Sequence, residues 1–169
     1  MTYSLTFVDR LPDPDAYAAM IHDYYSVLTP KLEAMGGPKL HISDLVADTM
    51  NELEEFLPPT GRLVLAHDQD GRLVGFGSMR TCAPGCAELK RLFVLPECQG
   101  SGLGRRLVEA RLDEARAMGL RYAYIDALKN NIEVQRLYER MGFEPCERFE
   151  GNDEYEALNG FVVYRRLTL

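Results

Sequence analysis

Three groups of residues in this chain have types and spacings that could do chemistry. The first is a turn, Gln99-Gly100-Ser101-Gly102-Leu103-Gly104, lying between a strand-like run at 89–95 and a helix-like run at 103–118. Glycines at such a junction let backbone N–H groups close on a phosphate, and the N-terminus of the next helix adds a partial positive charge. Arg105 and Arg106 either add charge to that turn or are solvated helix residues. The second group is Asn131 and Tyr138, seven residues apart and so on one face of a helix. The phenol can donate a proton, though a helical tyrosine is often packing and an asparagine at a helix start is often a cap. The third is a pair of carboxylates on neighbouring strands. Glu88, at the start of the strand leading to the glycine turn, could move a proton, with a surface glutamate paired to Lys90 or Arg91 as the plain alternative; Asp126 is its competitor, or a helix-capping or structural aspartate.

Other chemistries find less support. The glycine spacing does not satisfy G-x-G-x-x-G, and no lysine completes a Walker turn. Cys82, Cys86, Cys98 and Cys146, with His22, His41 and His67, form no metal-ligand spacing, so no metal is expected and the cysteines read as free thiols.

The two motifs Q-x-x-G-x-G (Gln99 to Gly104) and N-x-x-x-x-x-L-Y-x-x-x-G-F (Asn131 to Phe143) occur in order, and together they resemble the GNAT superfamily of acyl-CoA-dependent N-acetyltransferases. The resemblance covers 88–143 well and the first 60 residues hardly at all; Val134 stands where the family often has alanine. It implies acetyl-CoA as cosubstrate, its pyrophosphate held by Gln99, Gly100, Gly102, Leu103 and Gly104 with Arg105 nearby, and Asn131 and Tyr138 at the CoA arm or thioester. It also implies that the strand holding Leu92, Phe93 and Val94, plain core by composition, is splayed from its neighbour. Backbone groups are then free for the pantetheine, and the Val94 N–H is a candidate oxyanion donor.

The implied reaction is transfer of acetyl to a primary amine of a small molecule or peptide, by direct attack in a ternary complex. At neutral pH, stripping the proton from a lysine-like amine costs about 4–5 kcal/mol, hence the need for a base. Glu88 takes that role and Tyr138 that of general acid. A phenol is a weaker acid than a thiol, so donation must accompany carbon–sulfur cleavage rather than follow it. The alternatives are a non-catalytic CoA-binding module of the same fold and, less well supported, a nucleotide-binding protein.

The bulk properties bound these readings. The chain has 169 residues, enough for one domain (1–169), and 46% of them are hydrophobic. A net charge of −7 argues against nucleic-acid or anionic-membrane partners. The N-terminus lacks signal-peptide features and no apolar run approaches a bilayer span, so a cytoplasmic monomer or homodimer is expected.

The elements that must position these groups follow from periodicity and punctuation. A strand at 4–8 precedes a helix opened by Asp13-Pro14, with Tyr17, Met20, Ile21, Tyr24 and Leu28 in one stripe. Thr29-Pro30 should break it, leaving a short piece that ends at Gly36-Gly37. Ser43 should cap the next helix, whose apolar face is Val46, Met50, Leu53 and Leu57. This region reads as core, or as the wall of an acceptor pocket. Strands at 63–67, 73–79 and 87–95 lead to the glycine turn and a helix to Gly119. A strand at 122–128, a helix at 131–141 and strands at 143–149 and 161–167 complete the chain. The loop 150–160, with Glu150, Asp153, Glu154 and Glu156, reads as a solvated acidic surface or a cation attractor. The order predicts an α/β (α+β) domain, one mixed sheet flanked by helices; the resemblance implies that this sheet is mostly antiparallel and splayed.

Overall fold

The computed structural model describes residues 2–153 and 156–169, so Glu154 of the acidic loop lies outside the described residues. Seven strands form one sheet in the order β1-β2-β3-β4-β5-β7-β6: β1 Ser4–Val8, β2 Gly61–His67, β3 Leu73–Ala83, β4 Cys86–Val94, β5 Tyr122–Leu128, β6 Glu144–Cys146 and β7 Val162–Thr168. Every neighbouring pair is antiparallel except β4 with β5. That parallel pair is joined through the glycine turn and α3 (Leu103–Ala117), the crossover connection a parallel pair needs. α1 (Pro14–Ala34) and α2 (Ile42–Asn51) precede β2, and α4 (Ile132–Arg140) follows β5.

Two hydrophobic clusters hold these layers. One joins Tyr17, Met20 and Ile21 of α1 to Leu63, Leu65, Val74, Phe76 and Phe93 of the sheet, with Leu103 and Leu107 of α3. The other packs Val108, Leu112 and Ala115 of α3 and Tyr138 of α4 on Met79, Leu89, Ala123 and Ile125. Val46, Met50, Leu53 and Leu57 line up against the first cluster, as their spacing predicts. No helix among the described residues is long and apolar enough to cross a membrane.

Three local expectations are corrected. Asp13 caps α1, accepting from the Ala16 N–H at 2.9 Å, but α1 runs through Pro30 to Ala34. Pro30 forfeits one helical hydrogen bond, while burial of Thr29 and Leu32 on either side of it keeps the helix in register. His41, not Ser43, occupies the N-cap of α2, and no side chain caps that helix. The strand read at 143–149 stops at Cys146. The chain then turns back over the ends of β3 and β4, so closely that a Cβ on Gly151 would sit 2.0 Å from the Cys82 carbonyl oxygen. What draws it there is polar: the Gly151 carbonyl accepts from Arg80 Nη2 at 2.9 Å, and Asn152 and Asp153 reach charged groups of the sheet.

Candidate functional site

The sheet opens where the sequence motifs converge. β4 and β5 pair only from Cys86–Tyr122 to Glu88–Tyr124, although both strands continue, to Val94 and Leu128. The cause is visible in the β3–β4 register. Between the Phe76–Phe93 and Ser78–Lys90 pairs, β3 has one residue, Gly77, and β4 has two, Arg91 and Leu92. This bulge bends β4 away from β5. Arg91 adopts φ 52°, the one non-glycine residue in the left-handed region among the described residues. Such strain persists only where surrounding contacts hold it. Here the Arg91 guanidinium pairs with Glu52 at 2.7 Å and lies 5.0 Å from the Phe56 ring centre.

The opening is a cavity of about 340 Å³. Tyr24 and Tyr25 of α1, Arg91 and Leu92 of β4, Asp126 of β5, and Asn131 and Tyr138 of the α4 segment all line it. Asn131 and Tyr138 thus share one face and one space, as their spacing predicts. The N-terminal aromatics do wall this cavity.

The two carboxylates are placed differently. Glu88 is wholly buried and does not line the cavity; Asp126 does. Glu88 is not the surface glutamate of the plain alternative. Its Oε2 takes Arg80 Nε at 2.7 Å, Lys90 Nζ stands 4.0 Å from Oε1, and Arg91 is engaged elsewhere. Burial raises its pKa above the ordinary carboxylate range; Lys90 and Arg80 oppose the rise and Asp126 adds to it. Asn152 connects the pair. Its Nδ2 donates to Glu88 Oε1 at 3.1 Å and to Asp126 Oδ2 at 2.9 Å, while its Oδ1 accepts from Arg148 Nε at 3.1 Å. The Arg148 contact fixes the amide orientation, because only an oxygen can accept there. Asp153 pairs with Lys90 and with Arg80. Burial works to raise its pKa, but those cations outweigh it and hold the carboxyl below its usual range. Part of the acidic loop is therefore built into the site, whereas Glu150 and Glu156 are exposed.

Tyr138 is 3% exposed, its ring edge-on to Phe143 at 5.0 Å. Burial raises its pKa, the Arg111 guanidinium pulls it down, and Asp126 adds to the rise. Arg111 is buried completely. Its Nε donates to the Leu107 carbonyl at 3.0 Å, and its Nη1 to the carbonyls of Ser78 at 2.9 Å and Lys90 at 3.3 Å, on the two strands flanking the bulge. Nη2 is without a hydrogen-bond partner among the described residues, and the Tyr138 phenol lies within electrostatic reach of the guanidinium. Only a glycine at 77 leaves room, because a Cβ there would lie 2.8 Å from Arg111 Cζ. Sequence reasoning missed Arg111, although an arginine four residues after Leu107 and one before Leu112, inside the apolar stripe of α3, was the available signal.

The glycine turn has the form a phosphate cradle needs. Gly100 and Gly102 take φ 75° and 82°, and Cβ atoms added there would meet nothing within 4 Å, so their outer faces are open. Gly102 is the N-cap of α3 and no side chain caps the helix, leaving its first N–H groups available. The Gln99 side chain donates to the Val94 carbonyl at 3.1 Å, tying the turn to the end of β4, and Leu103 is buried beneath it. Arg105 forms an exposed i,i+4 pair with Glu109 at 2.7 Å. Phe93 and Val94 are buried and do not line the cavity. Asn131 sits at the N-cap of α4 without capping it; its Oδ1 instead accepts from Lys31 Nζ at 2.8 Å, pinning α1 to the start of α4. Cys82, Cys86, Cys98 and Cys146 are free thiols, and among the described residues no His, Cys, Asp and Glu side chains gather into a metal-holding group.

An open sheet parted between β4 and β5, with a glycine turn leading into α3, places the fold among the acetyltransferases. An acetyltransferase of the GNAT family from Staphylococcus aureus matches 98% of this chain and 99% of its own, with a TM-score of 0.78 at 15% identity. The PaiA N-acetyltransferase of Thermoplasma acidophilum, solved in complex with coenzyme A, matches 98% and 99%, with a TM-score of 0.73 at 15% identity. The model of the acetyltransferase (GNAT) family matches residues 21–143, and the chain belongs to that family. An uncharacterized N-acetyltransferase of Schizosaccharomyces pombe is 27% identical over 167 residues, spanning 98% of this chain and 94% of the relative. The protein is an acetyl-CoA-dependent acyltransferase.

Proposed function

We propose that this enzyme acetylates a primary amine by direct attack of the amine on acetyl-CoA within the β4–β5 opening. The observation that carries this reading is that a carboxylate, Asp126, and a phenol, Tyr138, line one cavity at the mouth of the splay. Acetyl-CoA supplies the activated acyl thioester. The open faces of Gly100 and Gly102 and the uncapped start of α3 suit its pyrophosphate, with Gly104 and Leu103 completing the turn. The edge of β4 at Leu92–Val94, freed from β5, suits the pantetheine amides. Arg105 contributes field rather than a fixed contact, being paired to Glu109.

The proton work divides among three residues. Asp126 touches the incoming ammonium and takes its proton, since it alone of the two carboxylates reaches the cavity. Glu88 acts at one remove, as a second carboxylate held against the same Asn152 amide, and so is a positioning residue here. Tyr138 donates to the departing sulfur as its bond breaks, and Arg111 beside it counters the burial that would otherwise weaken the phenol as an acid. The test is thiol release from acetyl-CoA across a panel of primary amines, in wild type and Asp126→Asn. Turnover that Asp126→Asn leaves unchanged contradicts this assignment.

A further inference from the structure

The charge on the cavity wall narrows the range of acceptors it can hold. Five charged residues line the cavity among the described residues: Glu52, Lys90, Arg91, Asp126 and Asp153. Four are already committed to one another, Arg91 to Glu52 at 2.7 Å and Lys90 to Asp153. Among the described residues Asp126 pairs with no cation and accepts from the neutral amide of Asn152. The wall therefore offers one uncompensated carboxylate. Around it the surface is apolar and aromatic: Tyr24, Tyr25 and Leu28 from α1, Leu45 from α2, and Leu158 and Val162 from the segment entering β7.

We propose that the acceptor is a monoamine, a single primary ammonium on an alkyl or arylalkyl body. This rests on the acetyl-transfer reading and deepens it. The ammonium pairs with Asp126, and the body lies among the leucines and tyrosine rings, where its apolar surface leaves water. A polyamine or aminoglycoside would bring further ammonium groups to the leucine wall, where no carboxylate waits, and a buried unpaired charge is strongly unfavourable. An α-amino acid would bring its own carboxylate beside Asp126, or would have to displace Glu52 from Arg91.

The test compares hexylamine with 1,6-diaminohexane, which match in length and differ by one charge, with phenethylamine, spermidine and leucine as further acceptors. Thiol release and formation of the acetylated amine are both followed. The expected result is a kcat/KM for hexylamine at least about tenfold above that of the diamine, with phenethylamine a substrate and spermidine and leucine poor ones. Leu158→Asp, on a half-exposed turn, and Leu28→Glu, on the cavity side of α1, each give the second ammonium a partner; either one moves the ratio toward the diamine. Robust turnover that favours the diamine, spermidine or leucine overturns the monoamine assignment while leaving acetyl transfer intact. Binding of acetyl-CoA with no thiol release for any amine overturns both.

Discussion

Glu88 and Asp126 share one amide group: Asn152 Nδ2 stands 3.1 Å from the first and 2.9 Å from the second. The residue that joins them comes from the segment after β6, the part of the chain that read as solvated loop. A buried carboxylate and a cavity-lining one are thereby held in fixed relation, and the difference between them can be measured.

Asp126→Asn removes the carboxylate proposed to meet the amine. At neutral pH kcat falls by about a hundredfold to ten-thousandfold, the usual range for loss of a general base. The KM for acetyl-CoA stays near wild type, and activity recovers in alkali as solution deprotonates the acceptor. Glu88→Gln is milder, because Glu88 does not line the cavity. pH–rate profiles of the two variants check this, and a larger loss in Glu88→Gln would restore Glu88 as the base.

Glu88 also carries a stability signature. Its pKa is raised above the ordinary carboxylate range, with burial the main cause. Between the unfolded pKa and that raised value the native state keeps a proton that the unfolded chain has lost. Unfolding then releases a proton, and the Glu88 contribution to stability falls as pH rises across that interval and is level above it. Glu88→Gln lacks this slope, so its Tm gains on wild type as pH climbs out of the carboxylate range. Melting curves across that range test the sign; a Tm difference independent of pH refutes it.

Tyr138→Phe keeps the ring against Phe143 and deletes the proposed proton donor. kcat drops by about a hundredfold or more, with the Kd for acetyl-CoA little changed. Single-turnover kinetics with a separate binding titration distinguish the two, and equal turnover removes Tyr138 from the chemistry.

Gly77→Ala pushes a methyl to within 2.8 Å of Arg111 Cζ, in a fully buried site. Overpacking of this kind costs about 1–3 kcal/mol, read as a lower midpoint in urea at unchanged slope. Because Arg111 also ties Ser78 to Lys90 across the bulge, kcat falls with it. An unchanged midpoint would show that the guanidinium shifts freely.

Gly102→Val puts a branched side chain where φ is 82° and fills the open face of the turn. The left-handed backbone alone costs about 1–2 kcal/mol. The Kd for acetyl-CoA rises by more than tenfold, measured by calorimetry, and wild-type affinity would move the pyrophosphate elsewhere.

Much of this architecture is legible in the residues. The glycine turn, the α3 stripe and the Asn131–Tyr138 spacing are local patterns, and local patterns survive into the fold. The parts that were not legible depend on long-range contacts. Pro30 reads as a breaker because local sterics dominate short windows, yet burial of Thr29 and Leu32 outweighs them. Arg111 is opaque because its three carbonyl acceptors lie on α3, β3 and β4. Asn152 is 64 residues from Glu88 and 26 from Asp126, and no periodicity marks it as their partner. The choice between Glu88 and Asp126 turns on which side of β4 and β5 faces the opening, and that follows from a bulge at Arg91 that has no glycine to announce it.

The most direct measurement follows acetyl-CoA and hexylamine in a single turnover, with mass spectrometry of both the small molecule and the protein. Direct transfer requires that thiol and N-acetylhexylamine appear together, with the chain itself never carrying the acetyl group. Thiol release without the acetylated amine, or acetyl lodged on one of the free cysteines before transfer, would contradict it.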